Sequence, residues 1–309
     1  AREVAHVINS DFSYESQNQN IARAVSAGVV EVRVPDAYLN FPVEFAAQVL
    51  RPASIELDRL TPEEVIAKGS RMWDVFRTAY TEGWHIRGFP EVLGGAHIDT
   101  LSSHLVNEEW GWGSADFAIA LSVTSFPFAF AAGRQDPQIL EEVVMPFVED
   151  RDGKYIGCWA ITEPGHGPDT LMPGTETWNK AEISYGLNAT LDGDDYVLNG
   201  QKSAWVSNGT IATHALAFLG VDRQKGMAGG GVALVPLNLP GVSKGAPLNK
   251  IGQRALNQGE IFFDDVRIPE SYMVVGKEAY GLVVEQVLAM ANAAMGTIFV
   301  GVGRAAVGH

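Results

Sequence analysis

Apolar and polar positions change their period twice along this chain. Up to about residue 40 they alternate without a sustained period, and no element is assigned there. Pro42 and Pro52 punctuate the next twenty residues or so. Thr61-Pro62-Glu63-Glu64 has the make-up of a helix start, with a threonine cap, proline at the first helical position and acids in the first turn. Val65, Met72, Val75, Phe76 and Ala79 come after it at near-helical spacing, which predicts a helix running to about Glu82. Gly83 to Pro90 breaks it, and Gly94-Gly95 extends the break. Thr100 opens a second helix. Ala118 to Ala132 is almost wholly apolar, and Ser125 and Pro127 allow a helix to begin inside it, setting Phe126 and Phe130 one above the other.

From about Lys154 the period becomes that of strands. Cys158 to Thr162 reads as a buried strand, and 215–219, 232–235 and 261–263 as further ones. Asp192-Gly193 and Asn199-Gly200 read as hairpin turns, Asn199 to Gly209 as a strand between two Asn-Gly turns, and Lys225 to Gly231 as a flexible loop. Near Glu278 the helical period returns and runs to the end, apolar on both faces, as in a buried helix. The expected class is therefore α+β: helical over residues 1–153, all-β over 154–272 and helical over 273–309.

Composition narrows this picture. A chain of 309 residues, 46% hydrophobic with 14 Phe and 7 Trp, can build a large core and is not a disordered polymer. Its net charge of −15, with no basic patch, argues against nucleic acid as a partner. The single Cys158 cannot form an internal disulfide, and inside an apolar strand it reads as inert, in keeping with a reducing compartment. The first twenty residues lack a basic start followed by an apolar run, so no secretory signal is expected and the cytoplasm is the default location. The last helix is long enough to span a membrane, but Asn292 and the absence of flanking basic clusters weigh against a span.

Candidate chemistry gathers around Cys158 to Asp169, a strand running into a turn with two prolines and two glycines. The amides of Gly165 and Gly167 can approach an anionic group closely, and the last strand side chains lie at the ligand's edge. Period-two geometry puts Trp205 and Ser207 on one face of the later strand. His104 and Glu108, one helical turn apart, read as a solvated face, and no metal site is expected.

These stretches, together with Pro90-Glu91…Gly94-Gly95 and Phe262-Phe263-Asp264-Asp265-Val266-Arg267-Ile268-Pro269, resemble the acyl-CoA dehydrogenase family of flavoproteins. The resemblance implies a helical N-terminal domain, a middle β-barrel and the first helix of a C-terminal bundle. It implies FAD, an acyl-CoA thioester substrate, an electron acceptor and an oligomer. Trp159, Ile161, Thr162, Gly167, Pro168, Trp205, Val206 and Ser207 would hold the flavin, and Ser122, Phe126, His166 and Pro168 would meet the substrate. Pro168 stands where the family has a serine, so contacts made through that hydroxyl are not carried over. The family's base is a carboxylate in the C-terminal helical domain; its alternative position would fall at Met290 to Ala293, where none stands, and the chain is expected to be only part of a folding unit. A competing reading is a noncatalytic subunit that binds flavin or thioester jointly with a partner; a third is a scaffold without flavin.

Overall fold

The structure, a computed structural model, describes residues 36–96 and 98–307, with the backbone alone described at residues 36–40 and at Pro168. The expectation of no secretory signal lies outside the described residues. Pro42–His309 forms one compact unit, and Ala1–Phe41 groups separately.

Pro42 and Pro52 turn out to lie within helix and do not separate segments. Helix α1 (Asp36–Phe45) runs through a wider turn at Ala46–Leu50 into α2 (Arg51–Leu57), with Pro52 just past the widened turn. The single helix expected over 61–82 is two, α3 (Pro62–Ile66) and α4 (Arg71–Thr81). Thr61 caps the first reciprocally with Glu64, as its sequence foretold. The break falls at Gly69, whose φ of +86° leaves the helical region, and Ser70 caps the restart. Gly95 is required where it stands, because a Cβ there would lie 2.0 Å from the Phe89 carbonyl oxygen. Then come α5 (Thr100–Gly113), α6 (Ala115–Thr124) and α7 (Phe126–Gly133), the last starting at the Ser125 break as the pattern predicted. A further helical run closes the region with α8 (Met145–Glu149).

Among the described residues the strands form one eight-stranded sheet: β1 (Gly157–Ala160), β2 (Asn188–Asp192), β3 (Asp195–Ser207), β4 (His214–Gly220), β5 (Gly230–Pro236), β6 (Val242–Lys244), β7 (Gln258–Pro269) and β8 (Met273–Val275). Their order is β6-β7-β3-β1-β4-β5-β8, with β2 pairing both β3 and β4. The strand foreseen at Cys158 to Thr162 ends at Ala160, and Ile161 and Thr162 enter the turn. Asp192-Gly193 is the β2–β3 hairpin. Asn199-Gly200 is not a turn: β3 passes straight through it, with a register shift against β7 between Leu198 and Gly200. An Asn-Gly pair can serve a bulge as readily as a hairpin, because both need the same permissive glycine backbone. The flexible loop expected at 225–231 is a packed turn instead. A Cβ on Gly229 would lie 1.9 Å from the Asp222 carbonyl oxygen, so these glycines permit tight packing.

The final helix, α9 (Tyr280–Val307), begins on the sheet: Tyr280 is buried, stacks 5.8 Å from Trp178 and hydrogen-bonds Tyr185. It crosses α5 where Gly111 and Gly301 meet, and a Cβ on either would lie 2.0 Å from a carbonyl oxygen of the other helix. The expectation of burial on every face fails. Leu282, Met290, Phe299, Val300 and Val307 are exposed, because the described residues cover one side only. Ala115–Gly133 and Tyr280–Val307 are both apolar and long enough to cross a membrane; the first is mostly buried in this fold.

Candidate functional site

The turn after β1 is set by a buried ion pair. The Glu163 carboxylate accepts hydrogen bonds from the Gly186 and Leu187 amides, at 2.6 and 3.1 Å, and from Lys202 Nζ at 2.7 Å. Lys202 also donates to the Ile161 carbonyl at 3.0 Å and lies 4.6 Å over the Tyr185 ring. Burial draws the Lys202 ammonium down to about 8 against the pull of Glu163. A carboxylate engaged by three donors is a fixture of the fold. Backbone bonds in both directions between Glu163 and His166 close the turn. Sequence reading missed this pair. The signal was there: Lys202 has the same strand parity as Val206, which faces the core, so it had to be a buried cation with a partner.

That turn and β3 enclose a cleft of about 380 Å³ lined by Thr162 to Gly167 and by Ser203, Ala204 and Trp205. Ser203 ties the two sides together, its amide donating to the Thr162 carbonyl at 2.9 Å. Trp205 is 60% exposed, while Val206 is fully buried on the other side of the strand. The side chain of Val206 therefore belongs to the core, and only its backbone is available to a ligand. Ser207 is half-buried; its hydroxyl oxygen accepts from Gln258 Nε2 at 3.0 Å, which leaves its O–H to donate. Trp159 stands opposite Ser207 in the β1–β3 register, and its buried indole N–H has no partner among the described residues. Ile161 is buried and contributes its carbonyl to Lys202.

His166 is half-buried in the cleft wall, with Nδ1 2.6 Å from Asp169. Asp169 also accepts from the Gly167 amide at 2.7 Å; partial burial raises its pKa, but these two bonds outweigh it and hold the carboxyl below its usual value. Pro168 opens a short turn, Pro168–Leu171, and has no N–H to offer.

These residues fit the flavin that the sequence resemblance implies. The Trp205 indole is largely uncovered, Thr162 lines the same cleft, Ser207 lies two residues along the same strand, and an orphaned indole N–H stands opposite Ser207. No heavy atom lies within 4 Å of where a Cβ on Gly165 or Gly167 would stand, so the turn's backbone is open to approach.

A second recess of about 380 Å³ lies between the N-terminal helices and α9, and both Ser122 and Phe126 line it. The Phe126 ring meets Trp159 edge-on at 5.7 Å, so one ring pair separates this recess from the strand carrying Ser207. The four residues assigned to substrate are thereby split: Ser122 and Phe126 share the recess, His166 lines the cleft, and Pro168 opens the turn that follows it. No Asp or Glu is among the described residues of the recess wall, and Met290 and Ala291 are part of it. Sequence reading overlooked Arg87 and Asn107, which also line it; an arginine within Trp84-His85-Ile86-Arg87, an apolar stretch, was the available signal. His104 and Glu108 do not act together: Glu108 binds Arg304 at 2.8 Å, and His104 lies 3.4 Å from Thr297 Oγ1.

A helical layer, a mixed sheet and an uncovered cleft on one strand define a protein of acyl-CoA dehydrogenase architecture. Residues 42–133 match the family's N-terminal domain and residues 158–266 its middle domain, and the chain belongs to the acyl-CoA dehydrogenase family. It is 29% identical over 238 residues to the mitochondrial short-chain specific acyl-CoA dehydrogenase of Rattus norvegicus, a match covering 75% of this chain and 50% of that protein. The chain thus spans about half the length of the curated relatives it matches. Butyryl-CoA dehydrogenase from Megasphaera elsdenii superposes with a TM-score of 0.72 at 24% identity, over 90% of this chain and 69% of that one. The acyl-CoA dehydrogenase from Bacillus anthracis solved with FAD gives 0.67 at 21% identity, over 86% and 41%.

Proposed function

We propose that this chain is the N-terminal and middle part of a FAD-dependent acyl-CoA dehydrogenase that takes hydrogen from the α and β carbons of an acyl-CoA thioester. The observation that carries the reading is the uncovered Trp205 face on β3 together with an apolar recess that one ring pair, Phe126 and Trp159, separates from the same strand at Ser207. FAD, when bound, supplies the hydride acceptor at its N5. The chain's own residues bind and orient. Trp205 offers a packing face, and the Thr162 and Ser207 hydroxyls orient polar edges by hydrogen bonding. The apolar wall around Phe126 excludes water from the acyl chain. The α-proton needs a base, and no carboxylate lines the recess among the described residues. In this reading it comes from further residues of the polypeptide or from a partner subunit, which also covers the apolar side of α9. The electrons pass to a separate acceptor.

The test is to purify the protein, record its visible spectrum and titrate it anaerobically with saturated acyl-CoA thioesters. A flavin band near ~450 nm that bleaches on titration is the expected result. Failure to take up added FAD would overturn the assignment. A band that no acyl-CoA bleaches would favour the noncatalytic subunit.

A further inference from the structure

Gln258 opens β7 and stands opposite Ser207 in the β3–β7 register. Three groups hold its side-chain amide. Lys250 Nζ donates to Oε1 at 2.9 Å, while Nε2 donates to Ser207 Oγ at 3.0 Å and to the Trp205 carbonyl at 3.3 Å. An ammonium only donates and a carbonyl only accepts, so one orientation of the amide satisfies both ends. Lys250 is itself fixed: Nζ also donates to the Leu256 carbonyl at 2.6 Å, and Arg254 Nη1 donates to the Lys250 carbonyl at 2.9 Å. Burial lowers the Lys250 pKa to about 8 against the pull of Asp116, which leaves the ammonium protonated at neutral pH.

The consequence falls on Ser207. A hydroxyl that rotates freely can meet a ligand as donor or as acceptor. Here Gln258 aims a hydrogen at Oγ, so the O–H is turned away from the amide, and none of the described residues accepts from it. Ser207 is half-buried, so the fold does not seal it off. The edge of an oxidised isoalloxazine ring offers mostly acceptors, ring nitrogens and carbonyl oxygens, beside a single N–H. A serine locked as a donor satisfies the acceptors and leaves the N–H unpaired. Resting on the flavin reading above, we propose that Gln258, oriented by Lys250, is a positioning residue for the flavin: it holds the Ser207 hydroxyl as a donor and so assigns an acceptor atom of the ring to that point on β3. Gln258 acts through Ser207, and Lys250 through Gln258; neither is a catalytic residue.

The experiment titrates the full chain, freed of flavin, with FAD. Dissociation constants are read from flavin fluorescence and folding from thermal melts of the same samples. Ser207→Ala should weaken binding about tenfold, the worth of one hydrogen bond. Gln258→Met keeps the length of the side chain but neither donates nor accepts, and should weaken binding at least about threefold. Gln258→Glu keeps the shape and the Lys250 bond but sets an acceptor opposite Ser207, which turns the O–H inward; it should weaken binding more than Gln258→Met does. A merely structural role gives the opposite order, because the carboxylate retains the Lys250 anchor that the thioether loses. In a Ser207→Ala background neither Gln258 change should cost anything further. The proposal is overturned by FAD binding indifferent to Ser207→Ala, by the opposite order of the two Gln258 variants, or by costs that multiply with that of Ser207→Ala. The first of these requires no Gln258 variant to fold, and all three leave the flavin reading standing. A chain that takes up no FAD removes both.

Discussion

Trp205 and Val206 are neighbours with opposite fates. The first is largely exposed and the second wholly buried. Trp205→Ala should therefore change folding stability by no more than about 0.5 kcal/mol, as exposed positions usually do. If the flavin packs on it, the same change should cut flavin occupancy at least roughly tenfold, since a packed aromatic contact carries more than ~1 kcal/mol. Denaturant titration and the ratio of flavin to protein absorbance separate the two effects; a fully loaded variant would move the cofactor elsewhere. The Glu163–Lys202 pair behaves in the opposite way. Lys202→Met leaves a buried carboxylate without its cation and should destabilise the fold by about 3–5 kcal/mol. Adding Glu163→Gln to it should recover part of that loss. Equal stability of the single and double variants would show that the pair does not act as a unit.

At the scale of elements, the join between helix and sheet rests on very few atoms. Asn208 sits at φ +64° just past β3, and its buried amide nitrogen donates to the Ala120 carbonyl at 2.8 Å, the Gly157 carbonyl at 3.1 Å and Thr124 Oγ1 at 3.3 Å. One side chain thus ties α6 to β1 and β3. Asn208→Ala removes a buried donor shared by two carbonyls and a hydroxyl and puts alanine in the left-handed region, for a loss of about 2–4 kcal/mol. A loss below ~1 kcal/mol in denaturant titration would mean that water replaces the amide. The crossing of α5 and α9 is similarly narrow, and Gly111→Ala should force the helices apart because its Cβ would meet the Ile298 backbone. Overpacking of this kind costs at least about 1–3 kcal/mol. Limited proteolysis should then cut α9 sooner than in the unmodified protein.

Across the molecule, two histidines, His85 buried and His214 half-buried, set an acid limit. His85 lies in the helical part, stacked 4.1 Å from Tyr80, and His214 lies in β4 edge-on to Phe128 at 5.1 Å. Burial draws both to about 4, with the nearby Arg151 charge adding to the effect at His85. Their unfolded value is near ~6.5, so the unfolded chain binds more protons between these limits. The stabilisation is whole above pH ~6.5 and is lost as pH falls through ~4, by roughly 3 kcal/mol for each histidine. His214→Phe should flatten this dependence, as followed by melting temperature against pH. An unchanged slope would assign the acid response to other groups.

Local patterns were enough for the order of elements, the Thr61 cap, the β2–β3 hairpin and the two stretches that line the cleft, because period, caps and turn chemistry act within a few residues. Trp205 and Ser207 could be placed on one face for the same reason. What depended on partners distant in sequence was not legible locally. Whether Asn199-Gly200 turns or bulges is decided by β7 pairing alongside it. Whether an apolar helix is covered depends on what packs against it, and the described residues cover α9 on one side only. Nothing local to Glu163 shows that the fold brings Lys202 to it across 39 residues, nor anything local to Arg87 that it shares a recess with Asn107, Phe126 and Met290. Burial decides the chemistry of all of these groups, and burial is created only when elements far apart in the chain pack together.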